Sequence, residues 1–142
     1  MKLFKNIIIL LLLINIKNVS YADKDFFTEG KNFFNNKKYE DAKFKFEQDI
    51  VFNPKSEKSY LYLSKIFNIK EEIEREENNL NTVLLLNPKN EDAVYSLAIL
   101  NIKKSNFIEA KSLIGDLNNV CKKMCFRVEE LNNKLGNLLK SK

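Results

Sequence analysis

Two cysteines, Cys121 and Cys125, stand four positions apart in the segment VCKKMCF. Redox enzymes place about two residues between their paired cysteines, whereas three separate these. A structural zinc site needs about four ligands, and two thiols without a histidine or a third cysteine do not supply them. In an oxidising compartment an even pair of cysteines favours a disulfide. We therefore predict a bond between Cys121 and Cys125; two buried free thiols are the alternative.

Other residues that could support catalysis are scarce. The sequence has no histidine, so it offers no histidine base, no serine–histidine pair and no histidine metal ligand. Its three glycines are scattered and form no phosphate-binding loop. The acidic run KEEIEREEN, from Lys70 to Asn78, could attract a cation, but Ile73 interrupts it as in a solvated helix face. We predict that the protein is not an enzyme and uses no cofactor or metal.

The composition favours one helical domain. The chain of 142 residues has about the length of a single domain. Apolar residues make up 44% of it, and only three glycines and two prolines interrupt it. Residues 1–22 contain three of the 24 basic residues and no acidic one, so the remainder has 21 basic and 19 acidic side chains. This near balance, without a basic block, argues against nucleic-acid binding.

The N-terminal segment, residues 1–22, has the pattern of a secretory signal peptide. Two lysines precede an unbroken apolar run from Ile7 to Ile14, and small residues follow at Ser20 and Ala22. The run is well short of the ~20 residues that a membrane span needs. We predict cleavage after Ala22 and no stable membrane span afterwards, with an uncleaved anchor as the alternative. Export is expected to the periplasm, or else to the extracellular space.

The rest of the sequence repeats itself at a fixed interval. Asn-Pro-Lys occurs at residues 53–55 and again at 87–89, which divides the chain into windows 23–56, 57–90 and 91–124. Equivalent positions carry side chains of one kind in at least two windows. The large residues are Phe26, Tyr60 and Val94 at the fourth position, Phe33 and Phe67 at the eleventh, and Phe46, Leu80 and Ile114 at the twenty-fourth; the small ones are Gly30, Ser64 and Ala98 at the eighth, and Ala42 and Ala110 at the twentieth.

This spacing predicts two amphipathic helices in each window. The small residues let the two backbones approach closely, and the Asn-Pro pair ends the second helix because proline cannot continue it. Ser56 and Asn90 are predicted to cap the helices that follow. We expect helices over 23–36, 39–53, 57–69, 71–86, 91–104 and 107–120, and a seventh over 126–140. The seventh is expected to cover the last repeat with its apolar stripe, Val128, Leu131, Leu135 and Leu138 or Leu139. Its opposite face is expected to meet water with Asn132, Asn133, Lys134, Asn137 and Lys140.

A period of about 34 residues with this pattern resembles the tetratricopeptide repeat (TPR) family. The resemblance covers residues 23–124, and in the first window Phe26, Gly30, Phe33, Ala42, Phe46 and Pro54 all fall on family positions. Two residues depart from the pattern: Glu76 replaces a small residue, and Lys122 replaces proline. Lys122 lies in the turn that the predicted disulfide would close. The resemblance implies an all-α solenoid of about three TPR hairpins plus a C-terminal capping helix (125–141), one domain over 23–142. An unrelated array of helical hairpins is the alternative.

The resemblance also implies a binding surface, because in TPR proteins the first helix of each repeat lines a concave groove that holds partner peptides. By their positions in the repeat, the groove residues are expected to be Lys24, Phe27, Lys31, Phe34, Lys58, Leu61, Lys65, Ile69, Tyr95, Ile99 and Ile102, with Asn35, Asn68, Asp92 and Lys103 at the remaining groove-facing positions. This apolar and basic set predicts a protein or peptide partner with acidic and apolar side chains. The alternative is a structural subunit of a larger envelope complex that uses its convex or edge surface, its groove filled by the capping helix.

Overall fold

Seven α-helices follow one another along residues 25–140, the part of the chain that the computed structural model describes. They are α1 (Phe26–Asn35), α2 (Tyr39–Phe52), α3 (Glu57–Ile69), α4 (Ile73–Leu86), α5 (Glu91–Lys103), α6 (Phe107–Val120) and α7 (Phe126–Lys140). No strand occurs in that part of the chain, and the prediction of an all-α fold is confirmed. The predicted signal peptide and Lys24 lie outside the described residues.

The first six helices pack in consecutive pairs as three hairpins, each joined by a three-residue turn. The middle residues of these turns are Lys37, Glu71 and Ser105, and their φ angles are 59°, 58° and 58°. They occupy the same position in each window, so the repeat is present in the backbone as well as in the sequence. None of them is glycine, the residue that usually adopts this conformation. For that reason the sequence pattern does not mark these turns.

The Asn-Pro-Lys segments join one hairpin to the next. At the second segment, the side-chain amides of Asn87 and Asn90 both donate to the carboxylate of Glu57, so the turn is bonded back to the start of its own hairpin. Asn90 also caps α5, as predicted, by accepting a backbone N–H at 2.8 Å. Ser56 does not cap α3, contrary to the prediction, because its hydroxyl donates to Ser59 instead.

The junction between α6 and α7 lacks proline and is held in another way. Glu91, the counterpart of Glu57 in the next window, accepts the backbone N–H groups of Lys123 and Met124 at 3.0 and 2.8 Å. A disulfide joins Cys121 and Cys125, whose Cα atoms are 5.2 Å apart. The carboxylate and the disulfide therefore hold the turn that Asn-Pro-Lys would otherwise occupy.

The buried apolar residues of the described segment form two clusters. The N-terminal core cluster consists of Ala42, Phe46, Leu63, Ile66 and Phe67. The C-terminal core cluster consists of Leu80, Val83, Ala93, Val94, Leu97, Ala98, Leu100, Ile102, Ala110, Leu113, Ile114, Leu117, Leu131 and Leu135. In the first hairpin a Cβ atom on Gly30 would lie 2.8 Å from the ring of Phe46, so the close approach of α1 and α2 requires glycine.

The last helix, α7, packs against α5 and α6. Leu131 and Leu135 are buried there, as expected of a capping helix, whereas Leu138 and Leu139 remain exposed. Measured over residues 25–140, none of the helices combines the length and the apolar character needed to cross a membrane.

Candidate functional site

A groove of about 480 Å³ crosses the first helices of the three hairpins and continues onto α7. One side chain comes from a second helix, and all others come from α1, α3, α5 and α7. The lining residues are Phe34 of α1; Ser64, Lys65, Asn68 and Ile69 of α3; Glu76 of α4; Tyr95, Ser96 and Ile99 of α5; and Glu130 and Lys134 of α7. The α7 helix therefore forms one wall of the groove and leaves it open.

The structure brings about half of the expected groove residues together. Those that line the groove are Phe34, Lys65, Ile69, Tyr95 and Ile99, together with Asn68 at another groove-facing position. Lys31 and Lys58 are exposed outside it, and Leu61 packs against the C-terminal core cluster. Ile102 is only 5% exposed and belongs to that cluster, so its assignment to the binding surface is corrected. Its helix turns this side chain into the core.

Aromatic packing explains why Phe27 is not part of the lining. Its ring centroid lies 5.8 Å from that of Phe46 and 5.6 Å from that of Tyr62. Phe34 meets the same Tyr62 ring edge-on at 5.1 Å, and this contact holds Phe34 at the edge of the groove. Offset and edge-to-face rings at these distances attract one another. Phe27 is thus a packing residue of the N-terminal core cluster and not a lining residue of the groove.

The wall formed by α7 is fixed to α5 through Tyr95. The guanidinium of Arg127 lies 5.2 Å from the centre of the Tyr95 ring and pairs with Glu130 at 2.6 Å. The Tyr95 hydroxyl donates a long hydrogen bond of 3.5 Å to the same Glu130. A planar cation over an aromatic face is an attractive contact.

Sequence reasoning missed Ser64, Ser96 and Glu76 as lining residues, and it also missed Glu130 and Lys134. Glu130 and Lys134 could have been found from the residue at which α7 begins. When Phe126 is aligned with Glu91, Glu130 and Lys134 fall on Tyr95 and Ile99, one position later than the period of the earlier windows would place them. The sequence predicts Lys134 on the water-facing side of the capping helix, and the structure leaves it exposed but places it at the groove. Its position on the wall follows because α7 packs as a further first helix.

The charges at the groove are unevenly paired. Glu130 is neutralised by Arg127, whereas Lys65 and Lys134 take part in none of the ion pairs formed among residues 25–140. The ammonium of Lys65 lies 5.2 Å from the centre of the Tyr62 ring, which holds it beside the groove. Two cationic side chains are therefore free to meet a carboxylate.

The floor of the groove contains a buried acid. Glu76 is 3% exposed, and its Oε1 atom accepts a hydrogen bond of 2.9 Å from the amide of Asn68. Burial raises the pKa of the Glu76 carboxyl above its usual range, against the effect of the Asn68 hydrogen bond. Within the described part of the chain, no group of three or more acidic, cysteine or histidine side chains could hold a metal ion.

Three hairpins, a packed terminal helix and a groove along the first helices define a TPR-type helical solenoid, which confirms the predicted fold class. The chaperone SycD of Yersinia enterocolitica, in complex with a peptide of the translocator YopD, is similar with a TM-score of 0.76 and 16% identity, covering 89% of this chain and 100% of that chain. The TPR2B domain of yeast Sti1, in a complex with pHsp70, has a TM-score of 0.74 at 13% identity and covers 81% and 96%.

A third similar structure is the first TPR of Spaghetti (RPAP3), bound to the HSP90 peptide SRMEEVD. Its TM-score is 0.73 at 15% identity, over 81% of this chain and 90% of that chain. No family model matches the chain, and no curated protein matches it. The TM-scores show a shared fold, and at identities this low the function has to be argued from the groove itself.

Proposed function

We propose that this protein is an exported adaptor or assembly factor that binds a peptide segment of a partner protein in its groove. The observation that carries the proposal is the open groove, to which α1, α3, α5 and α7 all contribute side chains. Its lining combines four apolar or aromatic side chains with seven polar or charged ones, so it offers both contact area and hydrogen-bonding groups to a peptide. The two similar structures that hold peptides, SycD and RPAP3, support the same use of this fold.

The lining favours a segment with apolar and acidic side chains. Phe34, Ile69 and Ile99 offer apolar contact area. Lys65 and Lys134 offer ammonium groups that are not already engaged in ion pairs with the described residues. A carboxylate of the partner that reaches either lysine would gain a charge-assisted hydrogen bond in a partly enclosed site. The proposed partner is therefore a protein with an exposed acidic-apolar segment.

Export to the periplasm is the second part of the proposal. It is supported by the signal-peptide pattern of residues 1–22 and by the disulfide between Cys121 and Cys125, since disulfides persist in oxidising compartments. Intact mass spectrometry of the protein recovered from its own cell tests this. A mature chain beginning at Asp23 is expected, and a chain that keeps Met1 would contradict cleavage.

Photo-crosslinking in the source cell tests the groove. A photoreactive amino acid is placed at Ile69, which lines the groove and is 47% exposed, or at Ile108 on α6, which is 87% exposed and lies outside it. We expect a discrete crosslinked protein from position 69 and none from the matched isoleucine at 108. The absence of any product at 69 when 108 gives one would overturn the groove as the binding site.

A structural subunit is the second candidate, and one observation favours it. Large apolar side chains are exposed on the second helices, namely Phe44, Val51 and Phe52 of α2, Leu85 of α4 and Ile108 of α6. Exposed apolar surface of this kind marks interaction sites when it is contiguous. A product from position 108 alone is the result that this candidate predicts.

A further inference from the structure

The Glu76 carboxyl group lines the groove, and an acidic-apolar segment offers no charged donor to pair with it. Glu76 replaces the alanine that stands at the equivalent position of the other two second helices, Ala42 in α2 and Ala110 in α6. Both alanines are fully buried, so packing of the hairpins does not require a carboxyl group at this position. Glu76 is buried to a similar extent, yet it also lines the groove.

The hydrogen bonding of Glu76 is incomplete. Oε1 accepts from Asn68, while Oε2 is buried and has no partner among residues 25–140. An oxygen in that position has lost water without gaining a donor, which costs free energy in the unbound protein. Lys103 at the end of α5 acts on Glu76 only through its electric field, and Glu77 beside it acts in the opposite direction. The carboxyl therefore has one acceptor to spare.

We propose that Glu76 and Asn68 form a subsite for a cationic side chain, lysine or arginine, carried by the segment that occupies the groove. This inference rests on the proposed function. Asn68 uses its amide N–H on Glu76 and keeps its carbonyl oxygen as an acceptor, so an incoming ammonium or guanidinium meets two acceptors. The side chain of Asn68 is exposed on the last turn of α3 and lines the groove next to Glu76.

A cation suits this position better than a neutral donor. A charged donor gives the stronger hydrogen bond to a carboxylate and compensates its burial. Lys65 lies one helical turn before Asn68, so the segment is expected to carry an acidic side chain close to its basic one. The groove is then specific for a segment that carries both an acidic and a basic side chain. Fewer segments meet this requirement than the requirement for an acidic side chain alone.

Selection from a displayed library of randomised peptides tests the subsite. Peptides that bind the wild-type protein are tested against Lys65→Glu. Only those that lose binding to this variant are carried forward, because they occupy the groove. Each is then measured against Glu76→Gln, and against Glu74→Gln as a matched control that removes an exposed carboxyl from the same helix. The same peptide is remade with its lysine or arginine replaced by glutamine, which completes a double-mutant cycle.

We expect the retained peptides to share a basic residue and to bind Glu76→Gln about tenfold more weakly, with Glu74→Gln unchanged. The glutamine peptide should lose affinity for the wild type but not for Glu76→Gln; a purely structural effect of the substitution would weaken both peptides equally. Peptides that bind Glu76→Gln as tightly as the wild type would overturn the subsite and leave groove binding intact. If the library yields no peptide sensitive to Lys65→Glu, the proposed function fails and the subsite fails with it.

Discussion

At the residue scale, Glu76 and Gly30 occupy two of the small-residue positions that bring paired helices together. Gly30 follows the rule, because a Cβ atom there would meet the buried ring of Phe46 at 2.8 Å. Glu76 breaks the rule, and its long side chain reaches from α4 to Asn68 on α3. Gly30 thus allows the close packing of its hairpin, whereas Glu76 places a polar group at the groove.

Replacing Glu76 by glutamine is expected to change the pH dependence of stability. Folded Glu76 holds its proton to a higher pH than the unfolded chain, whose glutamate pKa is near 4.5. Stability from this group is therefore complete below that value and is lost as the pH rises through the raised pKa. At neutral pH we expect Glu76→Gln to raise the free energy of unfolding by about 1 kcal/mol, since an unpartnered charge costs more to bury than an amide.

Urea unfolding at a series of pH values measures this effect. The difference between Glu76→Gln and the wild type should be largest near neutral pH and should shrink on acidification. Glu74→Gln, on an exposed position of the same helix, should show no such trend. A difference that stays constant with pH would contradict the raised pKa of Glu76.

Substitutions at the glycines are expected to act in opposite directions. Gly30→Ala should lower the free energy of unfolding by about 1–3 kcal/mol, because the new methyl group displaces the Phe46 ring from the N-terminal core cluster. Gly136→Ala in α7 meets no atom within 4 Å and should raise it by about 0.5–1 kcal/mol. Thermal and urea unfolding of both variants give the comparison, and equal effects would be inconsistent with the close contact at Gly30.

At the element scale, the junction between α6 and α7 determines where the groove wall stands. Backbone N–H groups of Lys122, Met124 and Lys123 hold the pKa of Glu91 below its usual range. Glu91 therefore stays ionised and keeps the turn bonded to α5 until the pH falls through that lowered pKa. The disulfide closes the same short segment, and α7 follows directly after it.

Removing the disulfide is expected to cost stability and to loosen α7. The Cys121→Ser, Cys125→Ser double variant should lose about 2 kcal/mol of unfolding free energy, the value that loop-closure entropy assigns to so short a loop. Amide hydrogen exchange should accelerate in α7 more than in α3. Wild type treated with dithiothreitol serves as the control and should behave like the double variant. Two titratable thiols in the unreduced, unfolded wild type would show that no bond had formed.

At the scale of the whole molecule, the helices of residues 25–140 pack around two core clusters rather than one. The N-terminal core cluster joins the first hairpin to α3, and the C-terminal core cluster joins α4 to α7. In helical repeats each unit is stabilised mainly by its immediate neighbours. Loss of packing at one end should therefore leave the other end largely protected.

Two large-to-small substitutions test this division. Phe46→Ala and Leu117→Ala each remove a fully buried side chain, one from each cluster, and should cost about 2–5 kcal/mol. We expect hydrogen exchange to rise mainly in α1 and α2 for Phe46→Ala, and mainly in α6 and α7 for Leu117→Ala. A uniform rise along the chain in both variants would instead indicate a single cooperative unit.

The helices and their repetition follow from the amino-acid sequence alone. The regular period, the Asn-Pro pairs and the large and small apolar positions act locally, so the predicted helices match the observed ones to within about three residues at each end. Five of the eleven expected groove residues line the groove for the same reason, since their positions in the repeat fix the face of the helix on which they lie.

Which side chains share the groove depends on how the helices pack against one another. Ile102 is turned into the core, Phe27 is held by a ring cluster, and Glu130 and Lys134 join the wall because α7 packs as a further first helix. The buried position of Glu76, with one oxygen left unpartnered, likewise depends on Asn68 from another helix. Contacts between helices depend on the angles at which they pack, and a repeat pattern along one chain does not contain that information.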